Sequence, residues 1–139
     1  VDRNLTSTFL TIKAFLPAMV SRGGGSIITM ASAAARQLGG APIAYAVAKA
    51  GVIALSQQIA HEVGRRGVRV NCLAPSTVMT KRMEQVIPVD RQHEMAAMHT
   101  LGRLGVPQDV AQATLFLASD ASSWITGVTV DITGGQLVT

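Results

Sequence analysis

The sequence is poor in cysteine, aromatic residues and charge. Cys72 is the only cysteine among 139 residues, so an internal disulfide is impossible, and its place in an apolar alternation predicts a small buried thiol. Aromatic residues make up 4% of the chain and charged residues 14%, against 48% hydrophobic residues. This composition favours one globular α/β core over a disulfide scaffold or a disordered tail.

Long uncharged apolar runs are also absent. Lys49 interrupts the longest apolar stretch, and there is no signal-peptide pattern. The sequence therefore predicts a cytoplasmic protein with no membrane partner. The chain begins at Val1 rather than at a methionine, and a helical pattern is already present at Leu5, so we expect the chain to be part of a longer protein.

The net charge of +4 is compatible with nucleic-acid binding, which we rank as a minor alternative. Arg65, Arg66 and Arg69 follow a predicted helix, where cations complement the helix dipole, and no aromatic residues stand among them for base stacking. We therefore predict a solvated basic helix end and no nucleic-acid partner.

Metal ligation is not indicated by the sequence. The three histidines lack the spacing of metal ligands, so we predict that His61, His93 and His99 are surface residues and that there is no metal site. Trp124 is predicted to pack beneath the last strand.

Apolar periodicity predicts an alternation of helices and strands. A helix is expected over residues 5–20, a strand buried on both faces over residues 26–31, a helix over Ile43–Val63, a strand from Val68 to just before Pro75, a helix over residues 108–118 and a strand over residues 128–132. Residues 80–101 show no single period. This order predicts parallel strands joined by helical crossovers, as in the second half of a doubly wound sheet.

Polar residues follow the predicted strands. Ser32 comes after the first strand, Tyr45 and Lys49 lie at the start of the next helix, and Thr80 follows the second strand. In open α/β sheets ligands bind beyond the carboxyl ends of the strands, so the topology should bring these four residues to one rim.

Tyr45 and Lys49 are spaced i, i+4, which places a phenol and an ammonium on one helix face. An ammonium about 4 Å from a phenolate contributes about 4 kcal/mol at an effective dielectric constant of about 20, similar to the roughly 4 kcal/mol needed to ionise an ordinary tyrosine at pH 7. Desolvation of the lysine reduces this gain. We predict that Tyr45 is a general acid/base and that Ser32 binds the same oxygen; the alternative is an ordinary surface pair.

The segment Tyr45-Ala46-Val47-Ala48-Lys49, with Ser32 upstream, resembles the YxxxK element of the short-chain dehydrogenase/reductase family. The similarity covers nearly the whole chain. It extends through Asn4-Leu5, Gly25-Ser26-Ile27-Ile28, Arg69-Val70-Asn71, Ala74-Pro75, Gly102-Arg103-Leu104-Gly105, Phe116-Leu117-Ala118-Ser119, Ile125-Thr126-Gly127 and Gly134-Gly135.

The resemblance implies an oxidoreductase that uses NAD or NADP and a small carbonyl or alcohol substrate. In its terms Tyr45 is the acid/base, Lys49 holds the nicotinamide ribose, Ser32 polarises the carbonyl, and Asn4 supports a proton-relay water. Pro75, Ser76, Val78 and Thr80 would form the loop on the nicotinamide side. Residues 1–139 would be the C-terminal part of one Rossmann-like domain, forming a homodimer or homotetramer through residues 5–20 and Ile43–Val63.

The chain also departs from the family pattern. Ser76 stands where the family usually has glycine, Thr133 replaces a common aspartate, and no G-x-G-x-x-G loop is present, since Gly23-Gly24-Gly25 precedes a strand and reads as a turn. Half of the dinucleotide site is therefore missing. An alternative is that these residues alone are an inactive fragment that acts in folding or oligomerisation. Asn4 could alternatively be a helix N-cap.

Overall fold

Helices and strands alternate along the chain in a computed structural model, which describes residues 1–137. A π-helical turn at Asp2–Thr6 runs directly into the first helix. The elements are α1 (Ser7–Arg22), β1 (Gly25–Met30), α2 (Ile43–Val63), β2 (Val68–Pro75), α3 (Lys81–Val86), α4 (Val89–Ala97), α5 (Pro107–Ala118) and β3 (Thr129–Ile132).

The three strands form one parallel sheet in the order β1-β2-β3. The register pairs Gly25 with Val68 at the start of β1, and Cys72 with Thr129 at the start of β3. Helical segments connect the consecutive parallel strands, as such connections require. The predicted α/β fold class with a parallel sheet is therefore confirmed.

The central strand β2 carries the core. Val68, Val70 and Leu73 are 0% exposed and Cys72 is 1% exposed, so the predicted buried thiol is confirmed. One face of β2 packs on α2, whose Val52 is also fully buried. Because β2 has a neighbouring strand on each side and a helix on its face, its backbone and apolar side chains are both removed from water.

The prediction that β1 is buried on both faces is wrong. Most of its residues are half-buried, and Met30 at its end is 41% exposed. Among residues 1–137, β1 pairs with β2 alone, so its other edge carries no strand. The apolar run Ile27-Ile28 is typical of an interior strand, yet β1 lies at an edge of this sheet.

Two polar residues of β2 form hydrogen bonds with the segment that leads into β3. The Asn71 amide nitrogen donates to the Ile125 carbonyl at 3.0 Å, and its oxygen accepts from the Val128 N–H at 3.2 Å. The Arg69 guanidinium donates to the carbonyls of Leu117 and Ser119, both at 3.0 Å. The prediction that Arg69 belongs to a solvated basic helix end is therefore wrong.

Arg65 and Arg66, in contrast, are exposed as the sequence indicated. Trp124 is 99% exposed, so its predicted packing beneath the last strand is wrong. The turn before β3 is anchored instead by the fully buried Ser122, whose hydroxyl accepts from Arg69 at 2.8 Å.

Residues 80–101, which show no single period, contain the short helices α3 and α4 with Pro88 as the N-cap of the second. Neither helix has a buried residue.

The helical stretch Ile43–Arg66 is long and apolar enough to cross a membrane on length and composition alone. One such helix is weak evidence, because the core helix of a soluble protein has the same features. In this fold α2 buries five residues: Ala48, Val52, Ser56, Ala60 and Val63.

Candidate active site

Tyr45 and Ser32 line the same cavity, which has a volume of about 340 Å³. Tyr45 is the third residue of α2, and Ser32 lies two residues after the end of β1. Ser76 and Val78, which follow β2, line the same cavity. The cavity therefore lies beyond the carboxyl ends of two neighbouring parallel strands, where α/β sheets bind ligands.

The Ser32 hydroxyl is held by the turn that it begins. Ser32 has extended backbone angles and caps a short 3-10 helix at Ala33–Ala35, with its oxygen accepting from the Ala34 N–H at 3.2 Å. A hydroxyl that accepts one hydrogen bond can still donate its own hydrogen. Ser32 is thus oriented by the backbone and can donate to an oxygen in the cavity.

Lys49 lies one helical turn after Tyr45 and is anchored to the sheet. Its Nζ donates to the Met30 carbonyl oxygen at 2.8 Å and lies 5.7 Å from the centroid of the Tyr45 ring. Tyr45 itself is 37% exposed. Lys49 is therefore anchored at the end of β1, and the Tyr45 side chain lines the cavity.

Asn4 lies in a second cavity of about 330 Å³, together with Met30 and Lys49. It is inside the π-helical turn, whose N-cap is Val1, so the alternative that Asn4 is a helix N-cap is wrong. Gly51 of α2 lets this turn approach, because a Cβ there would lie 2.7 Å from a Leu5 methyl carbon. Ser32 and Tyr45 thus line the first cavity, and Asn4 and Lys49 line the second.

The predicted loop residues lie at the end of β2 and directly after it. Pro75 ends β2, and Val78 lines both the Tyr45 cavity and an open apolar groove of about 710 Å³. Thr80 also lines this groove, and its hydroxyl accepts from the Met83 N–H at 3.3 Å as the N-cap of α3. Thr80 is therefore a helix cap in this structure.

A turn before α5 braces this loop. The Met79 N–H donates to the Gly105 carbonyl at 2.7 Å, and the Gly105 N–H donates to the Thr77 carbonyl at 3.1 Å. The neighbouring carboxylate of Asp109 accepts from the Arg103 guanidinium at 2.7 and 2.9 Å and from the Val106 N–H at 2.8 Å. The Arg103 hydrogen bonds, and then the backbone N–H, lower the pKa of Asp109 to about 2.

The prediction that all three histidines are surface residues is wrong for His99. His61 and His93 are exposed, but His99 is 4% exposed and its ring contacts Ser76. The sequence contains one signal for this contact, the serine at a position where the resemblance leads us to expect glycine. Sequence reasoning also missed Gln37 and Gln136, which line the Tyr45 cavity.

Within residues 1–137, no three His, Cys, Asp or Glu side chains group so that they could hold a metal ion.

Comparison with known proteins identifies the class. A sequence model described as enoyl-(acyl carrier protein) reductase matches residues 1–136. The chain belongs to the short-chain dehydrogenase/reductase family, which confirms the resemblance.

The relatives are longer than this chain. It is 43% identical over 133 residues to a (3R)-3-hydroxyacyl-CoA dehydrogenase of Rattus norvegicus, covering 95% of this chain and 51% of the relative. It is 41% identical over 135 residues to a 3-oxoacyl-(acyl-carrier-protein) reductase of Chlamydia pneumoniae, covering 97% and 54%. The chain spans about half the length of these relatives.

The fold is also similar to that of a solved structure. The crystal structure of a 3-oxoacyl-(acyl-carrier protein) reductase with bound NAD from Brucella melitensis aligns with a TM-score of 0.87 at 35% identity. The alignment covers 99% of this chain and 51% of that one. Rossmann-like architecture is thereby confirmed.

Proposed function

We propose that residues 1–139 are the C-terminal part of an NAD(P)-dependent oxidoreductase domain that interconverts a ketone or aldehyde and an alcohol, with Tyr45 as general acid/base. The observation that carries the proposal is the shared cavity of Tyr45 and Ser32, with the Lys49 ammonium 5.7 Å from the phenol ring. A proton donor, a second hydrogen-bond donor and a cation thus converge at the rim of a parallel sheet.

In the reducing direction, the Ser32 hydroxyl donates a hydrogen bond to the substrate carbonyl oxygen and holds it beside Tyr45. Tyr45 gives its proton to that oxygen, and in the reverse direction takes the proton of the alcohol. The Lys49 ammonium favours the phenolate that remains. When bound, the nicotinamide ring supplies or accepts the hydride at the carbonyl carbon.

Lys49 and Asn4 are proposed to restore the proton. The cavity that they share is lined by polar groups and is large enough for ordered water. We infer that a water held by Asn4 passes a proton towards Lys49 and from there to the phenolate. The hydrogen bond to the Met30 carbonyl holds Lys49 beside this cavity, with its Nζ 5.7 Å from the Tyr45 ring.

The residues around Val78 fit the nicotinamide end of a dinucleotide. The open groove is lined almost wholly by apolar side chains and is joined to the Tyr45 cavity at Val78. A flat ring in that groove would place one face beside the polar cavity. We propose that Pro75, Ser76, Val78 and Thr80 contact this end of the cofactor and that Lys49 holds its ribose. The chain contains no glycine-rich phosphate loop, so the rest of the dinucleotide would bind elsewhere in the whole protein.

The substrate is proposed to be a small carbonyl or alcohol compound. The names of the relatives favour a 3-oxoacyl or 3-hydroxyacyl compound within that class. A cytoplasmic location, the absence of membrane and nucleic-acid partners, and a homodimer or homotetramer formed through α1 and α2 remain part of this proposal. Several apolar side chains of those helices are exposed: Phe9, Leu10, Phe15, Ile43 and Val47.

The test is Tyr45→Phe in a protein that carries the whole domain. We expect turnover to fall about 10²- to 10⁴-fold, the usual contribution of a general acid/base, while the melting temperature stays near that of the wild type. Ser32→Ala, with the exposed Ser21→Ala as its matched control, should show the same separation of activity from folding. Full turnover by Tyr45→Phe would overturn the mechanism.

A second candidate is that these residues alone act in folding or oligomerisation and do not catalyse. The edge of β1 without a strand partner in the part described here, and the exposed Met30 at its end, favour it. Titration of NADH or NADPH fluorescence with the 139-residue chain tests this candidate. Weak or absent binding is expected, and tight binding would exclude it.

A further inference from the structure

Both ring nitrogens of His99 have partners inside the protein. Nδ1 lies 2.8 Å from the Met95 carbonyl oxygen, and Nε2 lies 3.0 Å from the Ser76 hydroxyl. Since a carbonyl only accepts, Nδ1 carries a hydrogen. In the neutral ring Nε2 is then the acceptor, and the Ser76 hydroxyl donates to it.

Ser76 connects this ring to the proposed cofactor loop. It follows Pro75, and its backbone N–H donates to the Ile132 carbonyl at 3.1 Å. Its side chain lines the Tyr45 cavity and a neighbouring cavity of about 360 Å³. Ser76 stands at a position where the family usually has glycine. Its side chain forms a hydrogen bond with the imidazole of His99, 23 positions later in the chain.

The residues after His99 hold a second wall of the same cavity. The Thr100 hydroxyl donates to the Gly135 carbonyl at 2.9 Å, and the Leu101 N–H donates to the Gly134 carbonyl at 3.0 Å. Gln136, the next residue, lines the Tyr45 cavity. Residues 99–101 thus contact both chain segments that approach Tyr45 from the ends of β2 and β3.

We propose that His99 is a positioning residue that holds Ser76 and thereby fixes the wall of the Tyr45 cavity on which the nicotinamide end binds; this inference rests on the function proposed above. A serine hydrogen-bonded to histidine is also the arrangement of hydrolytic nucleophiles, in which a carboxylate orients the ring. Here a neutral carbonyl orients the ring and the ring is 4% exposed. These observations favour positioning over nucleophilic catalysis.

Two substitutions at His99 separate its two hydrogen bonds. His99→Asn keeps an amide near the position of Nδ1, which can donate to Met95, but is too short to reach Ser76. His99→Gln places an amide oxygen near the position of Nε2, where it can accept from Ser76. Ser76→Ala removes the other partner, and His93→Asn on the exposed face of α4 is the matched control.

The first measurement is steady-state kinetics in a protein that carries the whole domain. In His99→Asn and Ser76→Ala we expect KM for the dinucleotide to rise roughly fivefold, the effect of one lost hydrogen bond, with kcat changed less than about twofold. His99→Gln should recover most of the loss. The double variant His99→Asn/Ser76→Ala should have the same KM as either single variant, because each substitution removes the same hydrogen bond.

The second measurement needs neither cofactor nor turnover. The Met79 amide, held by the Gly105 carbonyl at 2.7 Å, reports whether the loop after Ser76 stays closed. In the 139-residue chain its hydrogen exchange should be faster in His99→Asn and Ser76→Ala than in His99→Gln or His93→Asn. If this chain alone protects no amides, the same comparison is made in the longer protein.

The two measurements distinguish the two proposals. A wild-type protein without turnover would overturn the proposed function. Hydrogen exchange of the Met79 amide would then still test whether the His99–Ser76 hydrogen bond holds the loop. Normal turnover with an unchanged KM in His99→Asn and Ser76→Ala would overturn the positioning role, whatever the exchange shows. Exchange that is equal in all variants would overturn the claim that His99 holds the loop.

Discussion

The Lys49 ammonium donates a hydrogen bond to the main-chain carbonyl oxygen of Met30, the last residue of β1, at 2.8 Å. This contact crosses from a helix to the strand beside it and limits where the cation can move. It leaves Nζ 5.7 Å from the Tyr45 ring, close enough for the charge to act on the phenol.

Lys49→Met should abolish most of the proposed activity, because it removes the cation that favours the phenolate and the group that would hold the ribose. We expect kcat/KM to fall at least about 10²-fold in a protein that carries the whole domain. Lys13→Met, at an exposed position of α1, is the matched control and should retain full activity. Equal activity of the two variants would remove Lys49 from the mechanism.

Arg69→Met should destabilise the fold. The guanidinium is partly buried and donates to the Leu117 and Ser119 carbonyls and the Ser122 hydroxyl. Hydrogen bonds to charged groups contribute about 1.5–3 kcal/mol each, and acceptors left buried without a partner add to the cost, so we expect a loss of at least about 2 kcal/mol in urea denaturation. The exposed Arg65→Met should change stability by less than about 0.5 kcal/mol.

Asp109→Asn should lower the melting temperature at neutral pH by weakening the contacts with Arg103 and Val106. The pKa of Asp109 is lowered to about 2 in the folded chain, chiefly by the hydrogen bonds from Arg103, so the carboxylate stabilises the fold above its unfolded pKa of about 3.9. That contribution is lost as the pH falls through about 2. Wild type and Asp109→Asn should therefore differ least at the acid end of a series of melting curves; a gap that widens on acidification would contradict this account.

Val47→Glu should yield monomers if α2 forms a subunit interface. Val47 is 61% exposed, so a charge there should leave the core intact, whereas Ile53 packs against the buried cluster around Val52 and is a poorer probe. Val86→Glu, at a position that is 72% exposed on α3, is the control. Light scattering of both variants and the wild type measures the effect, and an unchanged mass for Val47→Glu would place the interface elsewhere.

Much of the architecture could be predicted from local patterns. The predicted helix over Ile43–Val63 agrees residue for residue with α2, and the alternation of strands and helices predicts the parallel sheet. The convergence of Ser32 and Tyr45 follows from the same pattern, because parallel strands bring their carboxyl ends to one edge. These features depend on periodicity and on chain topology, both of which a single sequence contains.

The sequence by itself therefore determined the type and order of the main elements and the approach of Ser32 to Tyr45. Only the tertiary structure decided that His99 is buried against Ser76 and that Arg69 is enclosed by the segment after α5. Each of these depends on contacts between residues far apart in the chain, such as the 50 positions between Arg69 and Ser119. Burial is a property of what packs against a side chain, and neither the residue type nor its neighbours in sequence specify that partner.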